Sequence, residues 1–223
     1  MISFALFPLF ALTNGGALQN EPWSLKPPYR ENTVYVSSWR GAYKQKESTF
    51  NIEYTAELLI RSTSAEGYRG EFLQKDFYFN DEPEGWEDAF RIHLDSRGAI
   101  LEVEDEDPYI SVRRLQPAFL IYPEKPIKPG DTWEYTSEKL DCLYHYEAKD
   151  IEKLDGKEAL RVVCVMKENK KDGFKGSGIH WVNKEGIVLK SDLKFKNWRY
   201  TWDGEPVEYE LKTKFIKSVN KPK

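Results

Sequence analysis

A proline-rich segment near the middle of the chain most strongly limits its fold. Pro123, Pro126 and Pro129 fall within seven residues, which excludes a helix there, and each proline removes a donor from any backbone ladder. The segment therefore predicts an extended, unpaired connection that ends in a turn at Gly130-Asp131. Because strand-forming sequence lies on both sides, this connection divides the chain into two sets of strands.

The most regular alternation of apolar and polar residues lies between residues 50 and 61. Apolar side chains occupy every even position from Phe50 to Ile60, whereas most of the odd positions are polar. Alternation of period two over this length predicts a long antiparallel strand with one buried face. Strand–turn–strand patterns recur at 90–103 and 179–190, which favours a sheet built from hairpins.

The remaining patterns predict a curved sheet of about ten or eleven strands. The apolar phase changes near residues 137–140 and again near Lys196-Asn197, which indicates bulges or sharp bends. Asp107-Pro108 is a typical helix start, so a short helix near 108–120, interrupted by Pro117, is expected to lie across the sheet. The predicted fold is mainly β, a strongly curved antiparallel half-barrel with one short covering helix.

The length of the chain predicts a single folded domain. Its 223 residues, 40% of them hydrophobic, can form one complete core. Residues 1–17 combine an apolar run with small residues, as in a signal peptide, although no Lys or Arg precedes the run. A mis-assigned start codon or a buried N-terminal strand would explain that departure. We expect an extended lead-in at 18–31, one β-rich domain at 32–217 and a frayed tail at 218–223.

Charge and hydropathy limit the partners and the compartment. The net charge of −4 argues against nucleic acid, whose phosphates require a basic surface, and it gives no reason to expect adsorption to an anionic membrane. The N-terminal apolar run is too short to span a bilayer. After cleavage of a signal peptide, the protein would be soluble in the periplasm or outside the cell. The sequence does not indicate an oligomeric state.

Two cysteines, Cys142 and Cys164, allow two interpretations. Both fall on the apolar phase of their strands and should point inward. In an exported protein they could form a disulfide, or they could be two buried thiols. The Asp155-Gly156 turn between them would not place them directly opposite each other in a simple hairpin. A zinc site is not expected, because it needs about four ligands and nothing else clusters with the cysteines.

No catalytic or metal-binding motif stands out. His93, His145 and His180 are separated within strands, and the acidic run at 102–107 lacks a turn glycine, which a calcium loop requires. The Gly-x-Ser-x-Gly motif of a serine nucleophile is absent, and Gly176-Ser177-Gly178 lacks the context of a phosphate loop. We therefore predict no enzyme activity, no metal and no cofactor.

Two segments resemble a known family. The pattern Pro123-x-x-Pro126-x-Lys128-x-Gly130-Asp131-x-Trp133 resembles the yP..pv.vGdtW signature of uncharacterised bacterial exported domains, and residues 181–190 resemble their aromatic–turn–glycine–strand segment. Those domains are similar to Lol-type periplasmic lipoprotein carriers, whose half-open barrel is closed by helices. The resemblance covers roughly residues 85–200, although Leu154-Asp155-Gly156 replaces the usual small-residue turn. It implies a half-barrel and a lipid or lipoprotein acyl chain as ligand, and it transfers no catalytic residue.

The aromatic content makes a binding role the first hypothesis. With 7 Trp, 13 Tyr and 12 Phe, inward-facing rings on a curled sheet leave an apolar trough unless they fill it. Trp133, Trp181 and Phe195 flank predicted turns and bends and are predicted to line the trough. One alternative is an envelope interaction or scaffold module with a filled core. Another is a carbohydrate-binding or carbohydrate-active β protein that uses exposed Trp198 and Trp202.

Overall fold

A computed structural model describes residues 21–85, 87–104, 108–171, 173–199 and 206–221. In these ranges the chain forms twelve strands and one α-helix, followed by a 3₁₀ turn. The predicted signal peptide lies outside them. The strands are β1 (Thr33–Gln45), β2 (Ser48–Thr63), β3 (Gly67–Phe79), β4 (Glu82–Glu84), β5 (Asp88–Asp95), β6 (Ile100–Glu104), β7 (Thr132–Ser137), β8 (Cys142–Leu154), β9 (Lys157–Glu168), β10 (Lys175–Val182), β11 (Val188–Arg199) and β12 (Pro206–Asn220); the helix is α1 (Pro108–Leu115) and the 3₁₀ turn is Gln116–Ala118.

All twelve strands belong to one antiparallel sheet. Their order is β6-β5-β3-β2-β1-β12-β11-β10-β9-β8-β7, and the short β4 pairs with β3. The first and last strands therefore meet in the middle of the sheet, while β6 and β7 form its opposite edges. The chain passes from one edge to the other through α1 and the proline-rich segment. We call residues 108–131 the crossover.

The sheet is curled so strongly that its two edges approach each other. Arg97, in the turn between β5 and β6, donates hydrogen bonds to the carbonyl oxygens of Tyr122 (2.8 Å) and Glu134 (3.2 Å), and Glu134 lies in β7. Lys139, just after β7, reaches the carbonyl oxygen of Leu101 in β6 (3.4 Å). Among the described strands, β6 and β7 do not pair with each other. The predicted mainly-β fold, an open curved antiparallel sheet with a short helix, is confirmed.

The core lies between the inner face of the sheet and the crossover. Alternate residues of β2 point inward, and Tyr54, Ala56, Leu58 and Ile60 are buried as the alternation predicts. Residues 112–122 are also buried, with the exception of the half-buried Arg114. The apolar side chains of the crossover thus exclude water from much of the inner face, which supplies most of the stabilisation of such a fold.

The first of the two predicted phase changes is a turn between strands and not a bulge. The phase change near residues 137–140 is a turn between two strands, β7 and β8, in which Asp141 has a φ of 48°. A turn and a bulge both change the inward phase, so alternation alone does not distinguish them. The second phase change is a true bulge, because the register of β11 with β12 shifts between Phe195 and Trp198.

The C-terminal strand is longer than predicted. Residues 218–220 belong to β12 and pair with residues 33–35 of β1, and the backbone N–H of Lys221 donates a hydrogen bond to the carbonyl oxygen of Asn32 (2.7 Å). Residues 218–220 are therefore part of the sheet, with backbone partners at the start of β1. The lead-in is also attached, because Trp23 and Ile127 exchange two backbone hydrogen bonds.

Candidate functional site

The inner face has a part that the crossover leaves incompletely covered. It lies at the end of the sheet that carries the β1–β2 turn, where four aromatic side chains from adjacent strands are each only partly buried. We call Phe79, Phe50, Tyr43 and Tyr209 the aromatic shelf. Ring centroids are 5.8 Å apart between Phe79 and Phe50, 5.3 Å between Phe50 and Tyr43, and 6.5 Å between Tyr43 and Tyr209. The shelf is therefore a continuous aromatic surface across β3, β2, β1 and β12.

Glycines in the sheet allow the rings at this end to lie close to the backbone. A Cβ atom on Gly41 would lie 2.5 Å from the Tyr209 hydroxyl oxygen, and one on Gly176 would lie 2.6 Å from the Phe195 ring. Glycine within a strand commonly marks such a close approach. The Phe195 ring in turn stacks on Tyr209, with centroids 5.9 Å apart. The shelf thus continues into the buried aromatic core of β11.

A small apolar cavity lies under the crossover. Its volume is about 100 Å³, and its lining includes Trp39, Leu58 and Phe72 from the sheet and Phe119 and Leu120 from the crossover. The inward residues of β2 connect the two features, since they run from Phe50 of the shelf to Leu58 of the cavity. The inner face is therefore apolar along β2 from the partly exposed rings to the cavity, and Tyr54 and Ala56 between them are buried.

A buried ion pair attaches α1 to the sheet. Arg113 Nε donates a hydrogen bond to Glu168 Oε1 at 2.6 Å, and the two side chains are only 9% and 3% exposed. Glu168 also accepts a hydrogen bond from the backbone N–H of Phe174 (3.1 Å). The Arg113 guanidinium lies 5.0 Å from the Phe174 ring centroid and 5.5 Å from that of Trp198. Separating these groups would leave a buried charge without its counterion, so the pair holds α1 against β9 and β11.

The structure separates the three residues predicted to line a trough. Phe195 is buried on the inner face, within the aromatic core beside the shelf. Trp133 also points inward, but it lies at the β7 edge, where it stacks on Tyr146 with centroids 5.1 Å apart and donates a hydrogen bond to the carbonyl oxygen of Ile121 (2.8 Å). Trp133 therefore packs against the crossover at a distance from the shelf.

Trp181 lies on the opposite, outer face of the sheet. Its ring contacts the ammonium group of Lys190, 4.6 Å from the centroid, and its indole N–H donates a hydrogen bond to Glu152. The inner positions of β10 are taken by His180 and Val182, both fully buried. The sequence alone does not show which side chains of this strand point inward, because odd and even positions of residues 179–182 are both apolar or aromatic.

The residues proposed for carbohydrate binding are not available as an exposed pair. Trp198 is 2% exposed and belongs to the inner aromatic core, so its predicted exposure is wrong. It is turned inward by the bulge between Phe195 and Trp198. Trp202 lies outside the described residues. The sequence alone does not identify the shelf residues, because the alternation places Phe50 on the inward face but does not indicate how far the crossover reaches.

The two cysteines are free, buried thiols. Cys142 pairs with Glu168 across β8 and β9, whereas Cys164 pairs with Tyr146. This four-residue offset separates the cysteines by about 13 Å along the strands, well beyond the distance that a disulfide spans. Burial raises the pKa of Cys142 to about 11 and that of Cys164 to about 12.

We expect neither thiol of the native protein to react with Ellman's reagent at neutral pH, because both are buried and protonated and only the thiolate is nucleophilic. Both should react after denaturation without added reductant. The measurement is the absorbance of released thionitrobenzoate before and after urea is added. Rapid reaction of the native protein, or a need for reductant after unfolding, would contradict the expected state of the cysteines.

The histidines do not form a cluster. His180 is fully buried, and its Nδ1 lies 2.8 Å from the Ser191 hydroxyl oxygen, while His145 Nδ1 lies 3.0 Å from the Glu134 carboxylate at the surface. Within the described ranges, no three His, Cys, Asp or Glu residues are placed to hold a metal ion. No helix in the same ranges has the length and apolar character that crossing a membrane requires.

Comparison with known proteins supports the fold. No family model matches the chain, and no curated protein matches it. The sheet is similar to a solved structure described as "lipid-protein interactions in lipovitellin", with a TM-score of 0.56 and 11% identity over 87% of this chain and 26% of that one. The chain therefore spans about a quarter of the length of that lipovitellin chain. At this identity the similarity establishes a shared fold and nothing more.

Two bacterial structures align with lower scores. One is a "putative exported protein with YmcC-like fold" from Bacteroides fragilis, with a TM-score of 0.36, 12% identity and coverage of 89% of this chain and 99% of that one. The other is a "putative lipoprotein" from Parabacteroides distasonis, with a TM-score of 0.32, 13% identity and coverage of 90% and 100%. Both similarities are too weak to support a conclusion about this chain.

Proposed function

We propose that this protein is an exported, non-enzymatic binding domain that holds an apolar or amphipathic ligand, such as a lipid or a lipoprotein acyl chain, on the inner face of its half-barrel. The observation that carries the proposal is the aromatic shelf. Its four rings face inward, yet each is only partly buried. A ligand that covered them would remove apolar surface from water, which stabilises the complex by about 25 cal/mol per Å².

The path along β2 supports a chain-like ligand. Phe50 of the shelf, Ile52, Tyr54 and Leu58 all face inward, and Leu58 lines the cavity under the crossover. The cavity volume of about 100 Å³ is smaller than the roughly 300–1,000 Å³ of typical ligand pockets. A long acyl chain would therefore rest on the shelf first and would enter more deeply only if the crossover moved.

The filled part of the inner face favours the scaffold module as the second candidate. Residues 112–122 of the crossover already cover much of that face, and a fully packed sheet would leave its outer surface for partners. The two functions differ in what the protein retains. A lipid that copurifies from the natural host, detected by native mass spectrometry, favours the binding domain; a specific protein partner without extractable lipid favours the scaffold.

Delipidated protein is expected to bind a fluorescent fatty acid, and Phe50→Ala is expected to weaken that binding roughly tenfold. Loss of a large apolar side chain removes about 1.5 kcal/mol of burial energy, and 1.4 kcal/mol corresponds to a factor of ten in affinity. Fluorescence titration measures the change. The matched control is Tyr78→Ala, because Tyr78 adjoins Phe79 but is 44% exposed on the outer face.

Two results would decide against this site, and a third would show that the variants had lost their fold. The delipidated wild type could fail to take up the fatty acid, which would remove the proposal as a whole. Phe50→Ala and Tyr78→Ala could both bind as tightly as the wild type, which would exclude the shelf. Equal losses in both variants, together with a lowered thermal midpoint, would indicate a general loss of structure rather than a lost contact.

A further inference from the structure

The outer face carries a row of like charges at the same end of the sheet as the aromatic shelf. Lys175 of β10 lies directly opposite Lys167 of β9 and directly opposite Lys196 of β11. All three side chains are exposed. Neighbouring strands are about 4.8 Å apart, so three ammonium-bearing side chains stand next to one another. Like charges placed directly opposite in a sheet are destabilising, and folding alone gives no reason for this row.

Among the described residues, an ion pair neutralises only one lysine of the row, Lys196. Lys44, Lys175, Lys194 and Lys196 line a depression of about 620 Å³, together with Glu208 and Glu210. Lys194 pairs with Glu210 at 2.9 Å and Lys196 with Glu208 at 3.8 Å. Both glutamates are therefore matched by a lysine of their own. Three further lysines make the described part of this surface positive, although the whole chain has a net charge of −4. They are Lys44, Lys167 and Lys175.

Exposed apolar side chains adjoin the lysine row. Leu143 of β8 is the direct cross-strand neighbour of Lys167, and Val165 precedes Lys167 by two residues on the same face of β9. They are 36% and 49% exposed. Exposed apolar groups beside lysines are typical of surfaces that lie in a membrane interface, where the apolar groups enter the acyl boundary and the lysines contact anionic headgroups.

We propose that the outer face formed by Leu143, Val165, Lys167, Lys175 and Lys196 docks onto an anionic lipid bilayer. The charge row selects an anionic partner, and the adjoining apolar residues select a lipid surface over a polar acidic protein. This surface lies on the opposite face of the sheet from the aromatic shelf. The proposal therefore does not depend on ligand binding inside the half-barrel, and each can fail without the other.

Vesicle cosedimentation tests the proposal directly. Purified protein is mixed with vesicles of phosphatidylcholine alone or of phosphatidylcholine with phosphatidylglycerol. We expect binding only to the phosphatidylglycerol vesicles, and we expect raised salt to weaken it because screening shortens the reach of surface charges. The Lys167→Gln/Lys175→Gln variant should bind about 30-fold more weakly, or roughly fivefold per lysine.

The control variant is Lys153→Gln/Lys157→Gln. It removes the same two charges from the other end of β8 and β9, where both lysines are also exposed, and it should bind like the wild type. The row variant should keep or raise the thermal midpoint, since it relieves like-charge repulsion. The proposal is overturned if wild-type protein does not bind phosphatidylglycerol vesicles, as expected when the row has another occupant. It is also overturned if both variants bind equally, as expected when net charge alone decides binding.

Discussion

Replacing Glu168 with alanine is expected to lower the free energy of unfolding by about 3–5 kcal/mol. Because the Arg113 side chain is only 9% exposed, the change would leave a buried guanidinium without its carboxylate. It would also remove the acceptor for the backbone N–H of Phe174. Urea unfolding followed by circular dichroism measures the loss.

Two control variants test whether the loss of stability comes from the burial of the ion pair or from the loss of any ion pair. Glu53→Ala breaks the Arg40–Glu53 pair, which has a similar distance of 2.9 Å but side chains 70% and 44% exposed, and it should change stability by less than about 1 kcal/mol. Arg113→Met/Glu168→Leu replaces both charges by apolar groups and should be much less harmful than Glu168→Ala. If Glu168→Ala and Glu53→Ala had equal effects, the buried pair would not be what holds α1.

The predictable part of this fold is local. The even positions from Phe50 to Ile60 place one face of β2 inward, and the structure buries four of those six side chains. The hairpins around Asp95–Gly98 and Asn183–Gly186 also follow the sequence, because a turn and two alternating runs are properties of adjacent residues. Pro108 begins α1 as predicted, since proline suits the first position of a helix.

The site depends on contacts between distant parts of the chain. Arg113 and Glu168 are 55 residues apart, and no spacing in the sequence pairs them. The aromatic shelf exists because the crossover covers Leu58 but leaves Phe50 partly exposed, which is decided by the path of residues 112–122. The lysine row requires the register that places Lys175 between Lys167 and Lys196. Sequence periodicity gives the face of a side chain, but not its partner on the next strand.

His180 should make the protein less stable as the pH falls from about 6.5 to 4. Its ring is fully buried and its Nε2 has no partner among the described residues, so burial lowers its pKa to about 4 from an ordinary value near 6.5. Above about pH 6.5 the ring is neutral in both states. Between the two values the unfolded chain binds a proton and the folded chain does not, which costs about 3 kcal/mol in total.

The His180→Asn variant isolates this contribution. Asparagine retains a polar group near the Ser191 hydroxyl, which contacts His180 Nδ1 at 2.8 Å, but it does not gain a proton in this range. The variant starts from a lower stability because the smaller side chain leaves a cavity. Its unfolding free energy should nevertheless fall less steeply between pH 7 and pH 4 than that of the wild type or of His93→Asn, a substitution outside the core. Parallel curves for all three proteins would mean that protonation of His180 does not contribute to the loss of stability at low pH.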